Sequence, residues 1–111
     1  MSAGKDARSI EALIENLQAA EQVVRLHAAT ILGSMGDDAE SAVPALIELF
    51  QTGDVHDRRL TALTLGEIGP VAEEALPALL EAVDDEDEGV ATMALEAVER
   101  IDLDGTEAEA A

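Results

Sequence analysis

The sequence predicts an all-α fold, a superhelix built from repeated pairs of helices, and three observations lead to this prediction. The 111 residues are rich in Ala and Leu and include one aromatic residue, Phe50. Apolar residues at helical spacing recur with a period of 33 residues. Gly and Pro recur at the same period, where helices would end and begin. Repeats of this length are typical of stacked helical hairpins, which bury their apolar faces only against their neighbours.

Composition also excludes several classes of protein. Ala and Leu are the best helix formers, whereas β-sandwiches depend on β-branched and aromatic residues. The absence of Cys excludes disulfides, thiolate catalysis and cysteine-ligated zinc. No apolar run approaches the roughly 18 residues that a membrane span requires, so no membrane association is predicted. The first residues lack the layout of a signal peptide, which predicts a cytoplasmic location.

The charge balance is strongly acidic, with 25 acidic residues against 6 basic ones and a net charge of −19. Without a basic patch, binding to nucleic acid is not expected. One interpretation is an acidic surface for a basic partner. The other is adaptation to a salt-rich cytoplasm, where the Debye length falls to ~3 Å at 1 M salt and repulsion is screened. Lys5 is the single lysine, and this scarcity favours the second interpretation because the composition resembles that of halophilic archaeal proteins.

The internal repeat is visible without gaps. A shift of 33 residues aligns 25–36 with 58–69 and 43–48 with 76–81, and extends backwards to 10–15. From Val43 to Phe50, apolar residues follow the i, i+3, i+4, i+7 spacing of one buried helical face. Each period therefore predicts two helices, A and B. The predicted order is B-A-B-A-B-A, with helices at about 9–18, 22–35, 41–52, 55–68, 73–84 and 87–101.

The apolar residues of each predicted helix should form its buried face. In helix A of the second repeat these are Leu60, Leu63, Leu65 and Ile68. In the preceding helix B they are Val43, Leu46, Ile47 and Phe50.

Gly, Pro and small polar residues mark the predicted helix boundaries. Gly36 and Gly69 follow the last apolar residue of an A helix, where a residue with positive φ is favoured. Pro44 and Pro77 fall in the first turn of a B helix, where a missing N–H does no harm. N-caps are predicted at Ser41, Asp54 and Asp87.

Two further glycines, Gly33 and Gly66, fall inside the predicted A helices. Each costs ~1 kcal/mol relative to Ala in a helix interior. We therefore expect a neighbouring helix to approach closely at both positions.

These residues resemble the HEAT repeat, in particular the short prokaryotic kind related to phycobilin-lyase HEAT-like repeats. The matching motifs are Val24-Arg25, Ala28-Ala29, Leu32-Gly33, Gly36-Asp37 and the run from Ala42 to Ile47. The third repeat departs from the pattern, with Ala91 in place of Arg and Glu99 in place of Gly. The resemblance spans about residues 9–101. It implies a concave binding face lined by B helices. Together with the absence of any recognisable chemical site, this predicts a non-catalytic scaffold that binds another, unidentified protein.

The predicted organisation is one repeat domain at 8–103 between disordered tails at 1–7 and 104–111. The outer helices should act as caps, and their exposed faces leave a homo-oligomer possible.

No catalytic residue, cofactor or metal site is predicted. Some HEAT-like hydroxylases bind iron through His-Glu pairs, but His27 is followed by Ala28 and His56 by Asp57. The acidic run 84–88 lacks the alternating ligands of a calcium loop and predicts a solvated turn. The alternative function is an accessory or regulatory subunit of a lyase-like or hydroxylase-like enzyme. As a regulatory subunit, the chain would bind a nucleotide or another anion through Arg25, Arg58 and Arg59.

A ladder of polar and small residues recurs on the B helices and gives the candidate binding residues. We expect a shallow acidic groove, with an ordinary solvated face as the alternative. The predicted groove residues are Glu15, Gln18, Ala45, Glu48, Gln51, Ala78, Glu81 and Asp84. The recurring Arg25 and Arg58 are predicted to be structural, with Asp54 or Asp87 as partners in the neighbouring repeat.

Overall fold

Helices account for nearly all of residues 9–102, the part of the chain that the computed structural model describes. The six α-helices are α1 Ile10–Asn16, α2 Gln22–Met35, α3 Val43–Thr52, α4 Val55–Ile68, α5 Leu76–Ala82 and α6 Glu88–Ile101. Two 3₁₀ segments, Gly36–Ala42 and Pro70–Ala75, each connect an A helix to the next B helix. No strand occurs in this range, and none of its helices has the length and apolar character needed to cross a bilayer. The predicted tails at 1–7 and 104–111 lie outside the described residues.

The A helices α2, α4 and α6 pack side by side, and each also packs on the B helix that precedes it. Neighbouring A helices run parallel. Near the start of α2, Gln22 donates to Asp54 just before α4. Further along, the Thr64 hydroxyl of α4 donates to the Ala29 carbonyl oxygen of α2 at 3.3 Å. This arrangement confirms the predicted α-α superhelix in B-A-B-A-B-A order.

The core consists of equivalent residues from successive repeats. Leu46 and Leu79 are both completely buried, as are Ala29 and Ala62. Small side chains at the A-helix contacts bring the helices close together. Gly66 shows this most clearly, because a Cβ placed on it would lie 3.0 Å from Ala97 Cα of α6.

Glycines and acidic residues define the ends of the A helices. Gly36 and Gly69 have φ of 58° and 91° with ψ of −132° and −155°, a backbone region that only glycine occupies readily. Asp54 accepts hydrogen bonds from the amides of His56 and Asp57 and begins α4 in a capping box. Asp87 accepts from the Val90 amide and begins α6.

The starts of the B helices differ from the prediction. Helices α3 and α5 begin at Val43 and Leu76 instead of about 41 and 73. Ser41 does not cap α3, because the 3₁₀ segment runs directly into the helix and the Val43 amide donates to the Glu40 carbonyl oxygen. The predicted N-cap at Ser41 was therefore wrong.

The apolar residues of α4 occupy two faces, although the sequence analysis placed them on one. Leu65 and Ile68 are buried, with exposed fractions of 0% and 2%. Leu60 and Leu63 are only half-buried and line an outward groove beside α6. Leu80 also departs from the expected buried stripe, since it is 53% exposed.

Candidate functional site in the B-helix clefts

Two clefts open between successive B helices, and equivalent residues build both of them. The first cleft, between α1 and α3, has a volume of about 440 Å³. The second cleft, between α3 and α5, has a volume of about 410 Å³. Their linings share positions 33 residues apart, namely Gln18 and Gln51, Arg25 and Arg58, Ala45 and Ala78, and Glu48 and Glu81.

Arg25 forms part of the first cleft and holds three segments of the chain together. Its Nε and Nη2 donate to the two carboxylate oxygens of Asp57 at 3.2 and 3.1 Å. Its Nη1 donates to the carbonyl oxygens of Ala19 and Ala20 at 2.8 and 3.0 Å. The Asp57 side chain is only 2% exposed. A planar guanidinium suits this arrangement because it can bind a carboxylate through two parallel hydrogen bonds.

Arg58 has the same place in the second cleft but a different partner. It forms an ion pair with Asp85, and its Cζ lies 5.7 Å from the centroid of the Phe50 ring, within the range of a cation–π contact. The hydrogen bond from Arg58 is the main cause of a lowered pKa of the Asp85 carboxyl, with a further contribution from the Asp87 amide.

The predicted arginine partners, Asp54 and Asp87, were therefore wrong for Arg25 and Arg58. Asp57 binds Arg25, but the residue one period after Asp57 is Val90, which has no acceptor side chain. In the second cleft Asp85 is the carboxylate partner of the arginine. The residue one period before Asp85 is Thr52. The arginine position thus recurs while its acidic partner changes place.

Arg59 makes a third arginine ion pair between repeats. Its Nε and Nη2 donate to the carboxylate oxygens of Asp87 at 3.0 and 2.9 Å. Arg59 is the largest cause of the lowering of the pKa of Asp87 to about 2, and the Val90 amide adds to it. The acidic run 84–88 thus provides structural acceptors at Asp85 and Asp87. Because Arg25, Arg58 and Arg59 all have carboxylate partners, an anion would have to displace these partners to bind them.

Six of the eight predicted groove residues line the two clefts. Glu15, Glu48 and Glu81 are all exposed. Gln18, Ala45 and Glu48 line the first cleft, while Gln51, Ala78 and Glu81 line the second. Glu15 and Asp84 are exposed, but neither belongs to a cleft lining.

The electrostatic character of both clefts is negative. In the first cleft Arg25 and Asp57 neutralise each other, leaving the carboxylates of Glu48 and Asp54. In the second cleft Arg58 and Asp85 do the same, leaving Glu81. Each cleft therefore favours cationic groups and hydrogen-bond donors over anions. Among residues 9–102, no three His, Asp or Glu side chains are grouped as a metal site would require.

Sequence reasoning missed a groove on the opposite, A-helix side, between α4 and α6. This A-helix groove has a volume of about 610 Å³. Its lining residues are Leu26, His56, Arg59, Leu60, Leu63, Glu88, Gly89, Thr92 and Met93. The signal was present in the sequence, since His56, Leu60 and Leu63 are spaced i, i+4, i+7 on α4. Leu60 and Leu63 had been assigned to the core.

Comparison with known proteins agrees with the geometry. A family model for HEAT repeats matches residues 6–108. No curated protein matches the chain.

Proposed function

Because this chain belongs to the HEAT-repeat family, we propose that it is a non-catalytic protein-binding module that holds a basic segment of its partner in the two clefts of its B-helix face. HEAT repeats generally form scaffolds for protein–protein interaction. The observation that carries the proposal is that the same cleft is built twice, one repeat apart. Repetition gives a partner two equivalent points of attachment.

The chemistry of the clefts supports a basic partner. Glu48 and Glu81 stand at equivalent places on α3 and α5, both exposed, and neither belongs to a salt bridge among the described residues. Ala45 and Ala78 beside them leave the helix surface open to an approaching chain. A Lys or Arg side chain in each cleft would find a carboxylate acceptor, and the net charge of −19 would steer such a partner toward the molecule.

Charge reversal tests the proposal. Partners would be captured from a salt-rich lysate on the immobilised full chain and identified by crosslinking and mass spectrometry. Glu48→Lys combined with Glu81→Lys should release the partners that the wild-type chain retains. The matched control is Glu40→Lys with Glu73→Lys, because these exposed residues are also 33 positions apart and lie outside both clefts. Equal retention by the two double variants, with unchanged circular dichroism, would place binding elsewhere.

A further inference from the structure

The A-helix groove is apolar along its middle and open to solvent. Leu60 and Leu63 of α4 and Met93 of α6 line it together with Leu26 of α2. Each of these four side chains is only half-buried. They therefore present a continuous apolar strip contributed by three successive A helices.

One end of the groove is shaped by Gly89 and Arg59. A Cβ on Gly89 would lie 2.5 Å from Arg59 Nε, so the absence of a side chain there gives the guanidinium its place. Asp87 binds that guanidinium through both carboxylate oxygens. Arg59 therefore lines the groove, and Asp87 neutralises its positive charge.

The rim of the groove is acidic. Glu88 lies in the lining at the start of α6. Glu96 is outside the lining but follows the lining residue Thr92 by one helical turn. Both are exposed, and neither forms a salt bridge within the described part of the chain.

We propose that the A-helix groove binds an amphipathic α-helix of a partner protein, with apolar residues at i, i+3, i+4 and i+7 and Lys or Arg on its flanks. The apolar strip would receive the apolar face of that helix, as in other helix-in-groove complexes. The acidic rim selects basic flanks. A second copy of this chain is the less favourable occupant, because its net charge of −19 opposes association with an acidic rim. This surface is separate from the B-helix clefts, so the module would bridge two partners.

Selection from a displayed library of random peptides against the full chain tests the proposal. Sequences that bind should share the apolar stripe and basic flanks. A synthetic peptide of that consensus should bind the double variant Leu63→Gln, Met93→Gln at least tenfold more weakly than it binds the wild-type chain, as measured by fluorescence anisotropy. Leu80→Gln is the matched control because Leu80 is 53% exposed and lies outside the groove, and it should leave the affinity unchanged.

A second pair of variants keeps the test decisive if the apolar variant fails to fold. Glu88→Lys, at a lining residue, should weaken binding of the same peptide severalfold, whereas Glu73→Lys, at an exposed position outside the groove lining, should not. The proposal is overturned if selection yields no apolar-stripe sequences, or if selected peptides carry acidic flanks. Equal weakening by Glu88→Lys and Glu73→Lys would also overturn it.

Discussion

Arg25 and Asp57 join two successive repeats through a pair of parallel hydrogen bonds of 3.2 and 3.1 Å. The same Asp57 carboxylate accepts the backbone amide of Asp54 at 3.1 Å. One buried side chain therefore fixes both the start of α4 and the position of α2 beside it. The contact also forms part of the first cleft, so the fold and the candidate site depend on the same pair.

Removing Arg25 should be costly because it leaves the buried Asp57 carboxylate without its counter-charge. We expect Arg25→Ala to lower the free energy of unfolding by about 3 kcal/mol, the lower end of the range for broken buried pairs. Urea unfolding followed by circular dichroism measures this. Arg59→Ala breaks a pair that is much more exposed and should cost clearly less. Equal losses for the two variants would show that the burial of Asp57 is energetically unimportant.

Gly33 and Gly66 occupy equivalent positions but should respond differently to Ala. At Gly66 the new Cβ would meet the α6 backbone at Ala97, so Gly66→Ala should destabilise the chain by about 1–3 kcal/mol through overpacking. At Gly33 it would meet the carboxylate end of Glu67, a flexible side chain that can move away. Gly33→Ala should therefore be close to neutral, or gain up to ~1 kcal/mol from helix propensity. Thermal and urea unfolding would measure the stability of both variants. A larger loss of stability in Gly33→Ala than in Gly66→Ala would contradict the prediction.

The Arg59–Asp87 contact should give the stability a pH dependence at acid pH. The pKa of Asp87 is lowered from an ordinary value of 3.8 to about 2 in the folded chain, so the unfolded chain binds more protons between these values. The contribution of Asp87 is complete above its unfolded pKa and is lost as the pH falls towards 2. Protonation of other exposed carboxylates relieves repulsion and acts in the opposite direction. The informative quantity is therefore the stability difference between wild type and Asp87→Asn.

We expect that difference to be constant above about pH 5 and to shrink steadily below pH 4. Asn is a suitable matched replacement because it retains N-capping ability and is close to Asp in size, although it removes both the charge and one of the two oxygens that accept from Arg59. Chemical unfolding at a series of pH values would measure it. A difference that grew on acidification would contradict the lowered pKa.

Salt should stabilise the chain. Most acidic side chains are exposed, and a net charge of −19 opposes the compact state through repulsion. Between dilute buffer and molar KCl, where the Debye length falls to ~3 Å, helicity and the free energy of unfolding should rise together. Adaptation to a salt-rich cytoplasm predicts a large rise. A chain that is fully folded and equally stable without salt would instead favour the acidic surface as a dedicated interface.

The repeat architecture could be predicted from the sequence because its cause is periodic. Apolar residues at helical spacing that recur every 33 residues predict stacked helical hairpins, because each repeat can bury its apolar face only against its neighbours. The largest error in a helix bound was at the start of α5, and α3 also begins later than predicted, because the chain enters both helices through 3₁₀ turns without a separate N-cap. Ser41 had the residue type of a cap but lacked the break in helical geometry that a cap requires.

The candidate sites were less predictable than the fold. Gln18, Glu48 and Glu81 could be placed on one face by counting residues, but their grouping with Arg25 and Arg58 in clefts depends on how the helices stack. The partner of each arginine could not be inferred from the period, because Asp57 has no acidic counterpart in the next repeat. The division of α4 between core and groove depends on a neighbouring helix, α6, that its own sequence does not reveal.

The parallel course of α2, α4 and α6 places the positive ends of their peptide dipoles along one edge of the molecule, where side-by-side dipoles repel. Asp54, Asp57 and Asp87 lie at that edge, where Asp54 and Asp87 accept hydrogen bonds from the first amides of α4 and α6 and a negative charge near a helix start is favourable. The acidic residues of this chain are therefore of two kinds. Some stabilise the helices and their packing, and others add only charge repulsion. Lowering the net charge to obtain a variant that folds in dilute buffer should begin with Glu40, Glu73 and their neighbours on the connecting segments and leave this edge intact.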